Sequence, residues 1–280
     1  MKRAIEHTRN LKGRVMQYMN LRRRRLSASV GVLFPWTVDL RYAASSVLRR
    51  ALRKPVEHDF RVVKFLKTQP GEVLCDIGCN RGQSIESLLM FNKSCQIIGF
   101  EPNLNTFEKA KAKYKRNSQV TIHNVGLSAE RSRRTLFIPK YRATVFDELA
   151  SFDRVSARNW FSGDQIIGFD QRQVSLTEFQ CELSRLDDYA LSPVFMKIDV
   201  QGYETKVLQG AWSTVTRVKP VLLIENDEHS SAETVSGLLG SIGYRPHRFD
   251  GEKLHRNEFG SPNTVYIVPR LERGLEQIMA

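Results

Sequence analysis

At 280 residues with 41% apolar content, the chain can bury one full α/β domain and an appendage. Its net charge of +13 is uneven: residues 1–54 carry fourteen Lys and Arg against Glu6 and Asp39, a net of +12, which leaves +1 for residues 55–280. The basicity belongs to an N-terminal arm, so it gives no ground for reading the rest of the chain as a nucleic-acid binder.

The arm carries Arg22-Arg-Arg-Arg25 and then a short apolar stretch, Leu26 to Val38, interrupted by Gly31 and Pro35. A transmembrane helix needs roughly 20 apolar residues, so this stretch is too short. A secretory signal would need a shorter basic leader and a small-residue cleavage site. Residues 40–54 read as an amphipathic basic helix with Leu40, Ala44, Val47, Leu48 and Leu52 on one face. The plainer account packs that helix on the domain and leaves the rest of the arm solvated. The alternative makes the arm a patch that holds the protein near anionic lipid or a polyanionic substrate. Residues 1–54 are thus expected to be the arm and 55–280 the domain. Cys75, Cys79, Cys95 and Cys181 form no Cys-x-x-Cys pair, which fits free thiols in a reducing cytoplasm.

Residues 58–68 read as a helix closed by Pro70-Gly71. Val73-Leu-Cys-Asp-Ile-Gly-Cys-Asn-Arg-Gly-Gln83 follows: an apolar run ends in an acid, turns through two glycines and starts a polar helix. A second apolar run ends in Gly99-Phe-Glu-Pro102. In a βαβ unit both acids land at the carboxyl edge of neighbouring parallel strands, where open α/β sheets bind nucleotides. Gly78 and Gly82 stand four apart, unlike the Gly-x-Gly-x-x-Gly of dinucleotide sites. This spacing opens the turn over a nucleoside and predicts S-adenosylmethionine (SAM) as ligand rather than NAD.

Asn103 is expected to cap a helix to about Arg116, with Leu104, Phe107, Ala110 and Tyr114 facing inward. Val120 to Val125 reads as a third strand with Asn124 to Ser128 as its exit loop, and Arg134 to Pro139 as a further short strand. Residues 140–172 have no period and hold six aromatic residues outside any pattern. A segment of this kind is expected to be a substrate-side insertion over the carboxyl edge of the sheet, or a packing subdomain. Strands at Val174–Leu183, Val194–Ile198 and Val221–Ile224, a helix to Gly210, another from Ser231 to about Ile242, and two last strands near Tyr244–Phe249 and Thr264–Val268 complete the order. This alternation predicts a class I, Rossmann-like methyltransferase fold: an α/β protein with a mostly parallel seven-stranded sheet, helices on both faces, and an insertion before the fourth core strand.

The candidate cofactor residues follow from that placement. Asp76, Gly78, Asn80 and Gly82 surround the first turn, whose helix N-terminus favours a carboxylate. Glu101 is placed to accept the ribose hydroxyls, and Asn124 to Leu127 to meet the adenine ring. Asp199 and Glu225 end two further strands beside the reacting methyl. They are the candidates to orient an acceptor hydroxyl or act as base, and His229 is the one histidine near the presumed site. Lys197, inside an apolar strand, needs an acidic partner, and Glu204 is placed to cap the helix it starts.

Residues 73–269 resemble the FkbM family of SAM-dependent methyltransferases. The likeness is carried by Asp76-Ile-Gly-Cys-Asn-Arg-Gly-Gln83, Phe100-Glu-Pro102, Asn124-Val-Gly-Leu-Ser128, Arg185-Leu-Asp-Asp188, Lys197-Ile-Asp-Val-Gln-Gly-Tyr-Glu204, Val207-Leu-Gln-Gly210, Pro220-Val-Leu-Leu-Ile-Glu225 and Asn263. Cys79 replaces the family's usual Ala, and Gln201 stands where the family often has Glu. The resemblance implies O-methylation of a hydroxyl on a sugar, glycolipid or secondary metabolite. Asp199, Glu225 and Asn226 are also similar to the magnesium-binding trio of catechol-type O-methyltransferases, which makes a divalent cation an open alternative. Two rival functions stay in view. One is a nucleic-acid methyltransferase that uses the arm, against which stands Asp199-Val-Gln-Gly202 in place of an Asn/Asp-Pro-Pro-aromatic motif. The other is a catalytically silent SAM-binding scaffold.

Overall fold

The structure, a computed structural model, describes residues 29–159, 166–225 and 232–280. A helical turn at 29–33 leads into α1 (Thr37–Leu52) and a 3-10 helix (His58–Phe65). The domain then runs β1 (Val73–Ile77), α2 (Gln83–Phe91), β2 (Gln96–Phe100), α3 (Leu104–Tyr114) and β3 (Val120–His123). Next come β4 (Gly126–Leu127), β5 (Ser132–Tyr141), β6 (Thr144–Val145), α4 (Arg154–Asn159) and β7 (Val174–Ser184). The last part is β8 (Pro193–Ile198), α5 (Glu204–Gly210), α6 (Trp212–Val218), β9 (Val221–Glu225), α7 (Ala232–Gly240), β10 (Arg245–Phe249), β11 (Leu254–Arg256) and β12 (Asn263–Ile267).

The main sheet has the order β11-β10-β12-β9-β8-β1-β2-β3. β9, β8, β1, β2 and β3 are parallel, and β12, β10 and β11 join in antiparallel pairs. The sheet has eight strands where seven were expected. The extra one is β11, a three-residue edge strand in the turn-rich stretch between the last two predicted strands. Both faces are covered, so the central parallel strands are largely apolar. Leu74, Ile97, Phe195 and Leu223 pack on one face; Ile77, Met196, Ile198, Leu222 and Ile224 pack on the other. Burying each such side chain contributes about 1.5–3 kcal/mol.

The region between β3 and β8 is larger than the 140–172 segment. Residues 126–184 build a second sheet of order β4-β7-β5-β6. The expected short strand at 134–139 is the middle of β5, which pairs antiparallel with β7 from Ser132↔Leu183 to Tyr141↔Val174. Both strands are mostly half-exposed and carry many polar residues, so neither gave the apolar run that marks the main sheet. The third strand likewise stops at His123, and Gly126–Leu127 leaves it for the second sheet.

Two inward faces were misread. Asn103 does cap α3, its side-chain oxygen accepting from the Asn105 amide at 3.1 Å, and Phe107 and Ala110 are buried, but Leu104 is exposed. In α1 the whole expected apolar face points outward. Leu40, Val47, Leu48 and Leu52 are exposed, and Ser46 is the buried residue. The helix docks through polar groups. Ser46 donates to Glu86, Arg49 and Arg50 sit at 3.4 and 3.5 Å from that carboxylate, and Arg81 and Lys109 pair with Asp39.

Candidate active site

Strand register builds the site. Ile77 lies opposite Phe100 and Ile198, and Ile198 opposite Ile224. Gly78, Glu101, Asp199 and Glu225 follow those residues, so the four stand in a row along one carboxyl edge. Chain connections leave β1 toward β2 on one side and arrive at β8 on the other, the switch point where open sheets hold ligands. All four residues line a cleft of about 380 Å³, together with Asn80, Leu127, Asp147 and Gln201. That volume lies within the usual range for a drug-sized ligand.

The Gly78 turn is tight. Its φ is +81°, and a Cβ there would stand 1.8 Å from the Asp199 carbonyl oxygen. Gly78→Ala is therefore expected to cost about 1–3 kcal/mol from backbone conformation alone, with the clash added to it. A denaturant midpoint equal to the parent's would show that β1 and β8 do not approach in this way. Gly82 has a different task. It starts α2 with φ +75° and packs under the Tyr114 ring, whose hydroxyl donates to the Gly82 carbonyl at 2.6 Å.

Glu101 is 6% exposed. Its two oxygens accept one backbone N–H each, from Asn80 at 2.8 Å and Asn103 at 2.9 Å. Thr106 adds a side-chain hydrogen bond, and the carboxylate lines the cleft. Burial pushes its carboxyl up to about 7, against the pull of those N–H groups. Asn124 does not reach the cleft. Its amide donates to the Glu101 and Pro102 carbonyls at 2.9 and 3.2 Å and fixes the exit of β2, while Gly126 and Leu127 take the wall position.

Asp76 is also off the cleft wall: it is fully buried beneath the turn. Register sets Asp76 beside Lys197 on neighbouring strands. Lys197 Nζ lies 3.6 Å from Asp76, 2.9 Å from Asp199, and donates to the Gly78 carbonyl at 3.1 Å. Burial works against the lysine's charge, but the two carboxylates outweigh it and hold the ammonium above its usual range. Ser84 supplies a further donor to Asp76. The lysine in the apolar strand is thus a structural ion pair that also presents charge at the cleft.

Asp199 keeps 29% of its side chain open. Burial opposes its ionisation, but Lys197 and the Gln201 amide hold it low. Burial and then the Asp199 charge push Glu225 up, so Glu225 holds a proton and shares it with Asp199. Gln201 donates to Asp199 at 3.0 Å and to Glu225 at 2.6 Å. Sequence reasoning set Gln201 aside as a tolerated departure; here it is the amide that clamps both acids. Glu57 was missed as well, and Asn263, quoted only as part of the family resemblance, is its partner. Glu57 lines the cleft and accepts from Asn263 at 2.7 Å, and β12 sets Asn263 opposite Glu225. No local motif marks Glu57, which lies before the first strand. Glu204 does not cap the helix it starts: it accepts from the Val200 and Gly202 amides at 3.2 Å and braces the loop that precedes the helix.

His229 and Asn226 lie outside the described residues. Asp199 and Glu225 stand side by side on the cleft, with Lys197 paired to Asp199 at 2.9 Å. Among the described residues, no group of three or more His, Cys, Asp or Glu side chains has metal-binding geometry.

Residues 76–246 match the sequence profile of the methyltransferase FkbM domain. The chain belongs to the FkbM methyltransferase family. A methyltransferase FkbM from Methylobacillus flagellatus KT is 16% identical over 72% of this chain and 44% of its own, with a TM-score of 0.45. The likeness therefore spans under half of that relative. A precorrin-6y C5,15-methyltransferase from Geobacter metallireducens GS-15 is 13% identical, covering 74% of this chain and 84% of its own, at TM-score 0.37. A TehB-like SAM-dependent methyltransferase from Corynebacterium glutamicum is 11% identical, covering 81% and 94%, at TM-score 0.41. No curated protein sequence matches. In this FkbM methyltransferase the family match begins at Asp76 and ends at Pro246, so α1 and the 3-10 helix lie outside it.

Proposed function

We propose that this methyltransferase uses SAM to methylate a hydroxyl group on a sugar, glycolipid or secondary-metabolite acceptor. The observation that carries this is the partly open Asp199 carboxylate, clamped by Lys197 and Gln201 next to a nucleoside-sized cleft.

The cleft residues fit the donor. The Glu101 carboxylate lines the cleft and can accept from the ribose hydroxyls. Asn80 and the N-terminus of α2 face the amino-acid end, and Gly126 and Leu127 offer a flat wall for a base. When bound, SAM supplies an electrophilic methyl group on a sulfonium. The protein then has to align the acceptor and take its proton. Asp199 would accept a hydrogen bond from the acceptor hydroxyl and take the proton that this hydroxyl gives up when the methyl leaves sulfur for its oxygen. Lys197 and Gln201 keep Asp199 ionised and fixed. Glu225, neutral, adds a second polar edge without a competing charge.

A polyanionic acceptor fits this cleft poorly. Glu57, Glu101, Asp147, Glu148, Asp199 and Glu225 line it against Lys197. Even with Glu225 neutral and Asp147 paired to Arg81, the remaining carboxylates outnumber Lys197 and repel phosphates, which favours a small-molecule or glycan acceptor over nucleic acid.

Calorimetric titration with SAM and with NAD tests the donor. Binding of SAM alone, much weakened in Glu101→Ala, is expected. NAD binding would overturn the cofactor assignment, and SAM binding without slow turnover to S-adenosylhomocysteine would favour a silent scaffold. The pH dependence is specific. Free Glu101 titrates at about 7, and a diol is best held by its ionised form. SAM affinity should rise as pH rises through about 7 and level off about one unit above it. In Glu101→Gln the slope should vanish; a slope that persists assigns it to another group. Methylated product from hydroxylated glycans, with and without Mg²⁺, then tests the acceptor class.

A further inference from the structure

The face of α1 that points away from the domain is built of apolar side chains. Leu33, Trp36, Leu40, Val47 and Leu52 are each 60% exposed or more, and Phe34 and Leu48 more than half. From Trp36 to Leu52 they stand at positions 36, 40, 47, 48 and 52, with exposed Ala44 between the second and third, and form one stripe about 24 Å long. An isolated apolar residue on a surface needs no explanation, but a continuous stripe does.

The orientation of the helix is fixed by specific bonds. Its polar side is consumed in docking: Ser46, Arg49 and Arg50 meet Glu86, and Asp39 meets Arg81 and Lys109. The preceding turn is anchored too. Val32 is buried with Tyr141 and Val174, and the Gly31 carbonyl accepts from Thr144 at 2.8 Å. A helix that only needed to shield its apolar side would have docked the other way round. Here charge pairs hold the polar side inward and the stripe outward.

We infer that this stripe is a docking face for an anionic lipid surface, with α1 lying in the plane of the membrane. Charge complementarity selects the occupant. Arg53 and Lys54 are exposed at the end of the helix, and Arg22-Arg-Arg-Arg25 precedes it in sequence. Residues 1–54 carry a net +12. Such a cluster attracts acidic headgroups by about 1 kcal/mol per basic residue near the surface. A second copy of the chain would instead bring two arms of the same sign together. Trp36 and Phe34 stand at one end of the stripe, the residue types that settle at the headgroup boundary. Among the described residues no helix is long and apolar enough to cross a membrane, so the face rests on the surface.

The geometry links this face to the cleft. Tyr42 donates to Glu148 at 3.2 Å, and Arg81, stacked 4.3 Å over the Tyr42 ring, pairs with Asp147 at 2.6 Å. Both acids line the cleft. A membrane-bound α1 therefore holds the cleft at a fixed distance from the headgroups.

The test is co-sedimentation of the full chain with phosphatidylcholine vesicles, alone or with about 30 mol% phosphatidylglycerol. Binding only to the anionic vesicles is expected. The double variant Leu40→Glu, Val47→Glu should bind at least about tenfold more weakly, while its thermal midpoint stays at the parent value because both side chains are exposed. Tryptophan emission should shift to the blue on binding, and Trp36→Phe should remove the shift. Equal binding by the double variant would make the attachment purely electrostatic and overturn the docking face. Absence of vesicle binding overturns it as well. If a dimer abolished by the double variant accompanies that absence, the stripe is a self-interface instead.

Discussion

Asp199→Asn is expected to lower kcat by about 10²–10⁴-fold while leaving SAM affinity within a few-fold of the parent. The substitution keeps the shape of the side chain but removes the acceptor for the proton of the incoming hydroxyl. The proposed donor contacts are Glu101, Asn80 and the Gly78 turn, none of which bonds to the Asp199 carboxylate. The fold should survive, because Lys197 keeps Asp76 as partner. Single-turnover methyl transfer and calorimetry, measured side by side, separate the two effects. An unchanged kcat would remove Asp199 from the proton path and reopen the question of the base. A parallel loss of SAM affinity would mean that the carboxylate holds the donor instead.

Lys197→Met is expected to cost about 3–5 kcal/mol of stability at neutral pH. Lys197 is 4% exposed, and the change leaves Asp76 and Asp199 charged without their shared cation. The pH dependence identifies the cause. In the parent, Asp199 is held below its ordinary range, so its contribution is present above the unfolded carboxylate range and fades as pH falls. In the variant the carboxylates should titrate above that range, so the sign reverses: stability is recovered at low pH and lost as pH rises. Denaturant midpoints at about pH 5 and pH 8 read this directly. A loss under about 1 kcal/mol at both pH values would show that the pair is not holding the strands.

Much of the site was legible because parallel βα units place function at predictable positions. An apolar run has to end at the carboxyl edge, so the residue after it faces a ligand crevice. That logic found Gly78, Glu101, Asp199 and Glu225 without topology. It failed for Asp76, one residue earlier, because alternation along the strand turns that side chain under the sheet toward Lys197. Gly82 packs under Tyr114 and Asn124 braces the exit of β2, since a turn residue can serve packing or backbone bracing as well as a ligand. Gln201 stood in a quoted motif, but its bond to Glu225, like the bond of Glu57 to Asn263, joins segments distant in sequence and left no local signal.

The sequence alone determined the α/β class, the order and bounds of most core strands, the carboxyl-edge glycine and acids, and the confinement of charge to residues 1–54. These are local or periodic properties, written in hydrophobic runs and single residues. Tertiary structure decided what depends on pairing between distant segments: the second sheet from residues 126–184, the buried Asp76–Lys197–Asp199 chain, and the direction in which α1 faces. The last is the clearest case. Periodicity identified the apolar stripe of α1 but could not say which side would meet the domain. The choice went to the polar side because Glu86, Arg81 and Lys109, on other helices and turns, offered it charged partners.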